Sequence, residues 1–156
     1  MLDIHIPGRD PLCLEHLLLD YNGTLAEDGR PIPGIRRRIQ RISRDLTVHI
    51  ITADTFGTVE AQLAYTPCRI VRIPGPDQIR AKADYLEKVG ASRTLACGNG
   101  ANDEAMLKVA AMGVAVLQAE GMAPALVMAA DILITDIHHL FDLLEKPNRM
   151  VATLRR

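Results

Sequence analysis

The sequence predicts an α/β fold in which helices cover both faces of a doubly wound parallel sheet. Short continuous apolar runs, such as Leu17 to Leu19, Leu46 to Ile51 and Thr94 to Cys97, read as strands buried on both sides, and they alternate with segments of helical periodicity. The polar signals also recur at one place in each unit, just after the carboxyl end of a strand, where open parallel sheets bind ligands. A length of 156 residues suits one domain with a proper core, and residues 1–156 are expected to form it.

Taken in order, Leu2 to Ile6 alternates apolar and polar residues and is expected as an edge strand, leading through Gly8 to Pro11 into the strand that ends at Asp20. A turn follows at Asn22-Gly23, and Leu25 to Ile32 reads as a small flap. Pro33 and Gly34 open a helix with Ile35, Ile39 and Ile42 on one face. Its arginines, 36, 37, 38, 41 and 44, read as a solvated face, with an acidic partner as the alternative. Leu46 to Ile51 is the next strand, and Thr52-Ala53-Asp54-Thr55 opens a helix through Val59 and Leu63. Arg69 to Ile73 is a strand closed by Pro74-Gly75-Pro76, before a long helix with Ile79, Ala83 and Leu86 at helical spacing and a stop at Gly90. Thr94 to Cys97, Gly113 to Leu117 and Ile132 to Thr135 complete the strands. Between and after them come a helix from Glu104 to Ala111, a short helix from Ala123 to Met128, a helix from Asp136 to Leu144 and a basic tail.

Composition excludes several function classes. A net charge of −1 gives no reason to expect a nucleic-acid partner, and the absence of Trp with only two Phe removes a base-stacking platform. No apolar run approaches the roughly 20 residues that a membrane span needs. Met1 to Pro7 has no secretory signal pattern, so no membrane span and a cytoplasmic location are expected. Cys13, Cys68 and Cys97 are odd in number and unclustered, and they read as reduced core thiols.

The chemistry collects in four loops. Asp20 and Asn22 follow the first core strand, Thr52 and Asp54 the second, and Asn99 to Asp103 a later one, while Lys82 lies early in the helix after the third. A carboxylate, a hydroxyl, an ammonium and an acidic loop on one rim of one sheet make a site for a phosphate and a divalent cation.

These residues resemble a known family. Asp20-Tyr21-Asn22-Gly23-Thr24-Leu25 is similar to the first motif of the haloacid dehalogenase superfamily, and within it to the Asp-Lys-Thr-Gly-Thr motif in the phosphorylation domain of P-type ATPases. Ile51-Thr52-Ala53-Asp54 resembles the second motif, Lys82 stands at the third, and Gly98-Asn99-Gly100-Ala101-Asn102-Asp103 resembles the fourth, Gly-Asp-Gly-x-Asn-Asp. The likeness runs from about Leu17 to Leu144 and implies a Rossmann-like sheet with no cap domain.

The resemblance also implies a set of roles. Asp20 becomes an aspartyl phosphate, Thr52 and Lys82 hold phosphate charge, and Gly23, Ala53 and Asn102 touch the phosphate. Mg2+ is held by Asp20, the main-chain carbonyl of Asn22 and the side chain of Asn99, with Asp103 orienting Lys82 or a metal-bound water. Two carboxylates of the pattern are amides here. Asn22 replaces the general acid and base, a loss typically worth about 100- to 10,000-fold, and Asn99 removes one negative charge from the metal cage. The expectation is a slow Mg2+-dependent phosphatase acting on a phosphorylated substrate, with a homo-oligomer or a large substrate covering the capless rim. The alternative is a catalytically weak regulatory protein that binds phosphate, metal or a protein partner.

Overall fold

In the computed structural model of the protein, which describes residues 1–54, 57–73 and 75–156, the chain begins with a ribbon of its own. β1 (Leu2–Ile4) and β2 (Leu12–Leu14) pair antiparallel, with Leu2 opposite Leu14. The first segment is therefore not an edge of the main sheet. Leu12 and Leu14 are buried while Cys13 between them is exposed, the period-two pattern of a ribbon with one wet face. That pattern also corrects the reading of Cys13 as a core thiol; Cys97 is buried and Cys68 half-buried.

The main sheet is made of β3 (His16–Asp20), β6 (Thr47–Thr52), β7 (Arg69–Arg72), β8 (Thr94–Gly98), β9 (Met112–Val116) and β10 (Ile132–Ile134). Its order is β10-β9-β8-β3-β6-β7, and every pairing is parallel. From β3 the chain winds through β6 and β7 to one edge and then through β8, β9 and β10 to the other, so the direction of winding switches beside β3. The carboxyl end of such a strand opens into the crevice where ligands bind.

Successive side chains of β3 point to opposite faces and meet different helices. Leu17 and Leu19 pack in the core that holds Ile35, Ile39 and Ile42 of α1 (Ile35–Ile42), with α6 (Ile137–Glu145) and α7 (Pro147–Leu154). Leu18 packs in the core under α3 (Gln78–Val89), α4 (Glu104–Val109) and α5 (Leu126–Ala129). The flap is a two-stranded hairpin, β4 (Ala26–Glu27) and β5 (Arg30–Pro31). Among the described residues this hairpin and α1 are all that stand between β3 and β6, and α2 (Thr58–Gln62) is the one helix between β6 and β7. No cap domain is inserted at either place.

Four expectations are adjusted. The helix after β6 begins only at Thr58, where the Asp54 carboxylate accepts hydrogen bonds from the Thr58 hydroxyl and the Val59 amide; Thr55 and Pro74 lie outside the described residues. Ile79 is 48% exposed, and Lys82 with Leu86 forms the buried face of α3. The basic tail is helix α7, whose Met150 and Leu154 are buried. The arginine face of α1 is only partly solvated: Arg38 lies over the Phe141 ring, 5.5 Å from its centroid, and pairs with Asp142 and Glu145 of α6. Arg41 also reaches Glu145.

A part-buried polar row links two strands of the sheet to α3. His16 Nδ1 lies 3.2 Å from His49 Nε2, and His49 Nδ1 lies 2.9 Å from the Tyr85 hydroxyl. Burial and the neighbouring His16 push the His49 imidazole down to about 4. The unfolded chain binds a proton near pH 6.5 and the folded chain does not, so His49 favours folding above that pH and costs stability as pH falls toward 4. Urea denaturation should therefore show a loss of about 3 kcal/mol between about pH 7.5 and pH 4 that is absent in His49→Gln. Equal acid sensitivity of the two proteins would contradict it.

Candidate active site

β3 is buried from Leu17 onward, and it carries Asp20 to the rim with 8% of the residue exposed. Lys82 reaches this carboxylate from α3. Its Nζ donates to Asp20 Oδ1 and to Asp103 Oδ1, each at 2.6 Å, and Lys82 and Asp103 are 2% and 0% exposed. The second oxygen of Asp103 accepts from the Asn99 amide at 3.1 Å and the Gly100 amide at 2.9 Å. Both oxygens of Asp103 are thus committed to Lys82 and the loop. A side chain at Gly98 would collide with the Asp103 carboxylate, so glycine there is a condition of the close approach.

Two carboxylates around one ammonium leave an excess of negative charge. Burial pushes Asp20 up to about 7, the Asp103 charge adds to the rise, and Lys82 opposes it. Burial pulls the Lys82 ammonium down, but Asp20 and Asp103 more than offset this and hold it above its ordinary value. Lys82 stays charged, and the cluster attracts further positive charge.

Asn99 forms the other wall. Its Oδ1 accepts from the Thr24 hydroxyl at 3.2 Å, and its Nδ2 donates to the Gly121 carbonyl at 3.1 Å. The Asn99 amide lies so close to Gly23 that any side chain there would overlap it, and Gly23 has a φ of 76° besides. The Gly23 amide itself donates to the Ala26 carbonyl at 2.8 Å. Gln118, which the sequence reading passes over, fixes this loop: its Nε2 donates to the Gly23 and Thr24 carbonyls and its Oε1 accepts from the Ile137 amide that opens α6. A glutamine just after a strand end was the only signal available for it. Gln78 was missed likewise; it accepts from Asn102 Nδ2 at 2.8 Å, one helical turn before Lys82.

Thr52 follows Ile51, the β6 residue opposite Asp20, so the two motifs end side by side. Its buried hydroxyl accepts from the Asp54 amide at 3.0 Å. Ala53 and Asn22 are exposed beside the opening, and Asn22 bridges to Ala26 of the flap. Asp20, Lys82, Asp103 and Asn99 are joined by direct bonds or through one residue; Thr52 is placed by strand register and Asn102 through Gln78. Among the described residues no cluster of three or more His, Cys, Asp or Glu side chains could hold a metal ion. The oxygens that the residues of this rim could offer an ion are the Asp20 carboxylate with side-chain amide and main-chain carbonyl oxygens. This is a hard, oxygen-only set that fits Mg2+ with several of its waters retained, and it fits thiophilic metals poorly.

No protein-family model matches the sequence. An uncharacterized protein of Methanocaldococcus jannaschii is 41% identical over 63 residues, which are 40% of this chain and 68% of that protein. A phospholipid-transporting ATPase of Saccharomyces cerevisiae is 29% identical over 131 residues, 84% of this chain, but the chain spans only 10% of its length. Among solved structures, a 3-deoxy-D-manno-octulosonate 8-phosphate phosphatase of Moraxella catarrhalis, in complex with magnesium and phosphate ions, superposes with a TM-score of 0.71 at 16% identity. It covers 91% of this chain and 94% of its own. A cobalt-bound phosphatase of the same kind from Haemophilus influenzae gives a TM-score of 0.69 at 15% identity, covering 92% and 94%. These similarities assign the fold to the haloacid dehalogenase type. No helix among the described residues is long and apolar enough to cross a membrane.

Removing the ammonium from between the two aspartates tests the cluster directly. Lys82→Met should cost about 3 kcal/mol near neutral pH, because two buried carboxylates lose their partner, and part of this should return in acid as one of them takes a proton. Urea denaturation near pH 8 and pH 5 reads both effects. A loss under about 1 kcal/mol at pH 8 would contradict the arrangement.

Proposed function

The chain belongs to the same family as the Methanocaldococcus jannaschii protein and has the haloacid dehalogenase fold, and on that premise we propose that it is a Mg2+-dependent phosphohydrolase that forms an aspartyl phosphate on Asp20. The observation that supports this most is Lys82, held 2.6 Å from both Asp20 and Asp103 at the mouth of the crevice. An ammonium buried there is placed to neutralise charge on a phosphoryl group as Asp20 attacks it.

Each residue then has a part. The Asp20 carboxylate is the nucleophile, and its bond to Lys82 points the carboxylate into the rim. The Thr52 hydroxyl, which accepts from the Asp54 amide, keeps its own O–H to donate to a phosphate oxygen. The main-chain N–H of Ala53 and the Asn102 side chain, steadied by Gln78, supply further polar contact. Gly23 contributes space more than a donor, since its amide is already bonded. Asp103 holds Lys82. Mg2+ would be held by Asp20, the Asn22 carbonyl and Asn99, and when bound it supplies the charge that offsets repulsion between the carboxylate and a phosphate dianion. Asn22 hydrogen-bonds but moves no proton, so turnover is slow.

The chain acts as one unit without a cap, and a second copy of it or a bulky phosphorylated substrate excludes water from the rim. The two amides, Asn22 and Asn99, favour a second reading: a weakly active protein that binds phosphate, metal or a partner and regulates. The two readings separate in one assay. Mg2+-dependent hydrolysis of p-nitrophenyl phosphate should vanish in Asp20→Asn, whereas an identical background in both proteins would favour the binder. Restoring the carboxylate in Asn99→Asp should lower the Mg2+ concentration for half-maximal activity by about 10-fold, the effect of one added negative charge on a hard cation; no change would remove Asn99 from the metal site.

A further inference from the structure

Asn22 cannot give a proton to the departing group, and among the described residues the surrounding side chains do not replace it: the Lys82 ammonium is committed to Asp20 and Asp103. Asp103 is fully buried, with both oxygens on Lys82 and loop amides. The Asp54 carboxylate faces Thr58 and Val59, and the Glu120 carboxylate accepts from the Asp28 amide at 2.8 Å. His138 is bonded to the Pro33 carbonyl. Ala26, the flap residue bridged to Asn22, carries nothing that titrates.

We propose that the chain takes phosphate from donors whose leaving group departs as a stable anion, acyl phosphates in particular, and stores it on Asp20 in place of hydrolysing alkyl phosphomonoesters. The inference rests on the phosphohydrolase reading and specifies its substrate class. In the step, an oxygen of Asp20 forms a bond to phosphorus. The bond from phosphorus to the leaving oxygen breaks, and its electron pair goes to that oxygen. With an acyl phosphate the product is a free carboxylate, whose conjugate acid has a pKa of about 4, so no proton has to be supplied. An alkyl ester would release an alkoxide, as basic as the hydroxide whose parent water has a pKa of about 16, and such a group needs an acid beside it. The reverse face of the same deficit is persistence. Water attacking the aspartyl phosphate must lose a proton, and Asn22 cannot take it, so the phosphorylated form accumulates.

The test is a donor series on the intact protein with Mg2+. Labelled acetyl phosphate, p-nitrophenyl phosphate, phenyl phosphate and glycerol phosphate are each followed by the initial rate of label bound to Asp20. The expected result is a rate falling steeply through the series, by about 1,000-fold or more from the first donor to the last, in line with the range of general acid catalysis. In Asn22→Asp, with its fold checked by circular dichroism, the ratio of the acetyl phosphate rate to the glycerol phosphate rate should fall by about 100- to 10,000-fold, and bound label should decay faster. Wild-type rates that do not depend on the leaving group, with label still on Asp20, would overturn the substrate class and leave the phosphohydrolase reading standing. No label on Asp20 from any donor would overturn that reading as well. The wild-type series decides the matter even if Asn22→Asp does not fold.

Discussion

A lysine sealed between two aspartates is the constraint on which the rest of the site depends. An ammonium 2% exposed is tolerated only because Asp20 and Asp103 hold it at hydrogen-bonding distance. The three groups come from different elements, the end of β3, the face of α3 and the loop after β8, so satisfying Lys82 fixes the spacing of all three. Asp103 extends the constraint to the backbone by accepting from the Asn99 and Gly100 amides. The same contacts that keep the charge buried therefore keep the rim in one shape, which is what electrostatic catalysis requires of a site before substrate arrives.

Around that centre, shape is enforced by what is missing from side chains as much as by what is present. Gly98 lets Asp103 lie against β8, and Gly23 lets the Asn99 amide lie against the first loop. Gln118 then ties that loop to the start of α6 with two donated bonds and one accepted bond. On the far side of the sheet Arg38 links α1 to α6 through Phe141, Asp142 and Glu145. Many basic residues of α1 thus act first as contacts within the fold.

Much of this was legible in the residues alone, for identifiable reasons. Leu17 to Leu19 ends in a single carboxylate followed by Asn-Gly, and a strand buried on both faces leaves that carboxylate nowhere to go but the rim. Ile35, Ile39 and Ile42 declare the inward face of α1 by spacing alone. Ile79 misled because apolar spacing takes a lysine for a solvent residue, whereas Lys82, paired with two aspartates, occupies the inward face of α3 with Leu86; Lys82 was placed by motif position, its burial becoming visible only with its two partners. Leu2 to Ile6 alternates in a way that suits an edge strand and a separate ribbon equally, and the pairing of Leu2 with Leu14 decides between them. Gln118 offered only its place after a strand end and Gln78 less still, since a glutamine acquires a role from the carbonyls and amides that tertiary packing brings to it.

The chemistry attributed to the rim comes down to whether Asp20 is the atom that meets phosphorus. The most direct measurement is a crystal structure of the protein with Mg2+ and beryllium fluoride, a mimic of the acyl phosphate. The arrangement predicts a tetrahedral adduct on an Asp20 carboxylate oxygen, contacted by Lys82, Thr52 and Asn102. An Asp20 left unmodified, with Lys82 still closed over it, would contradict the assignment.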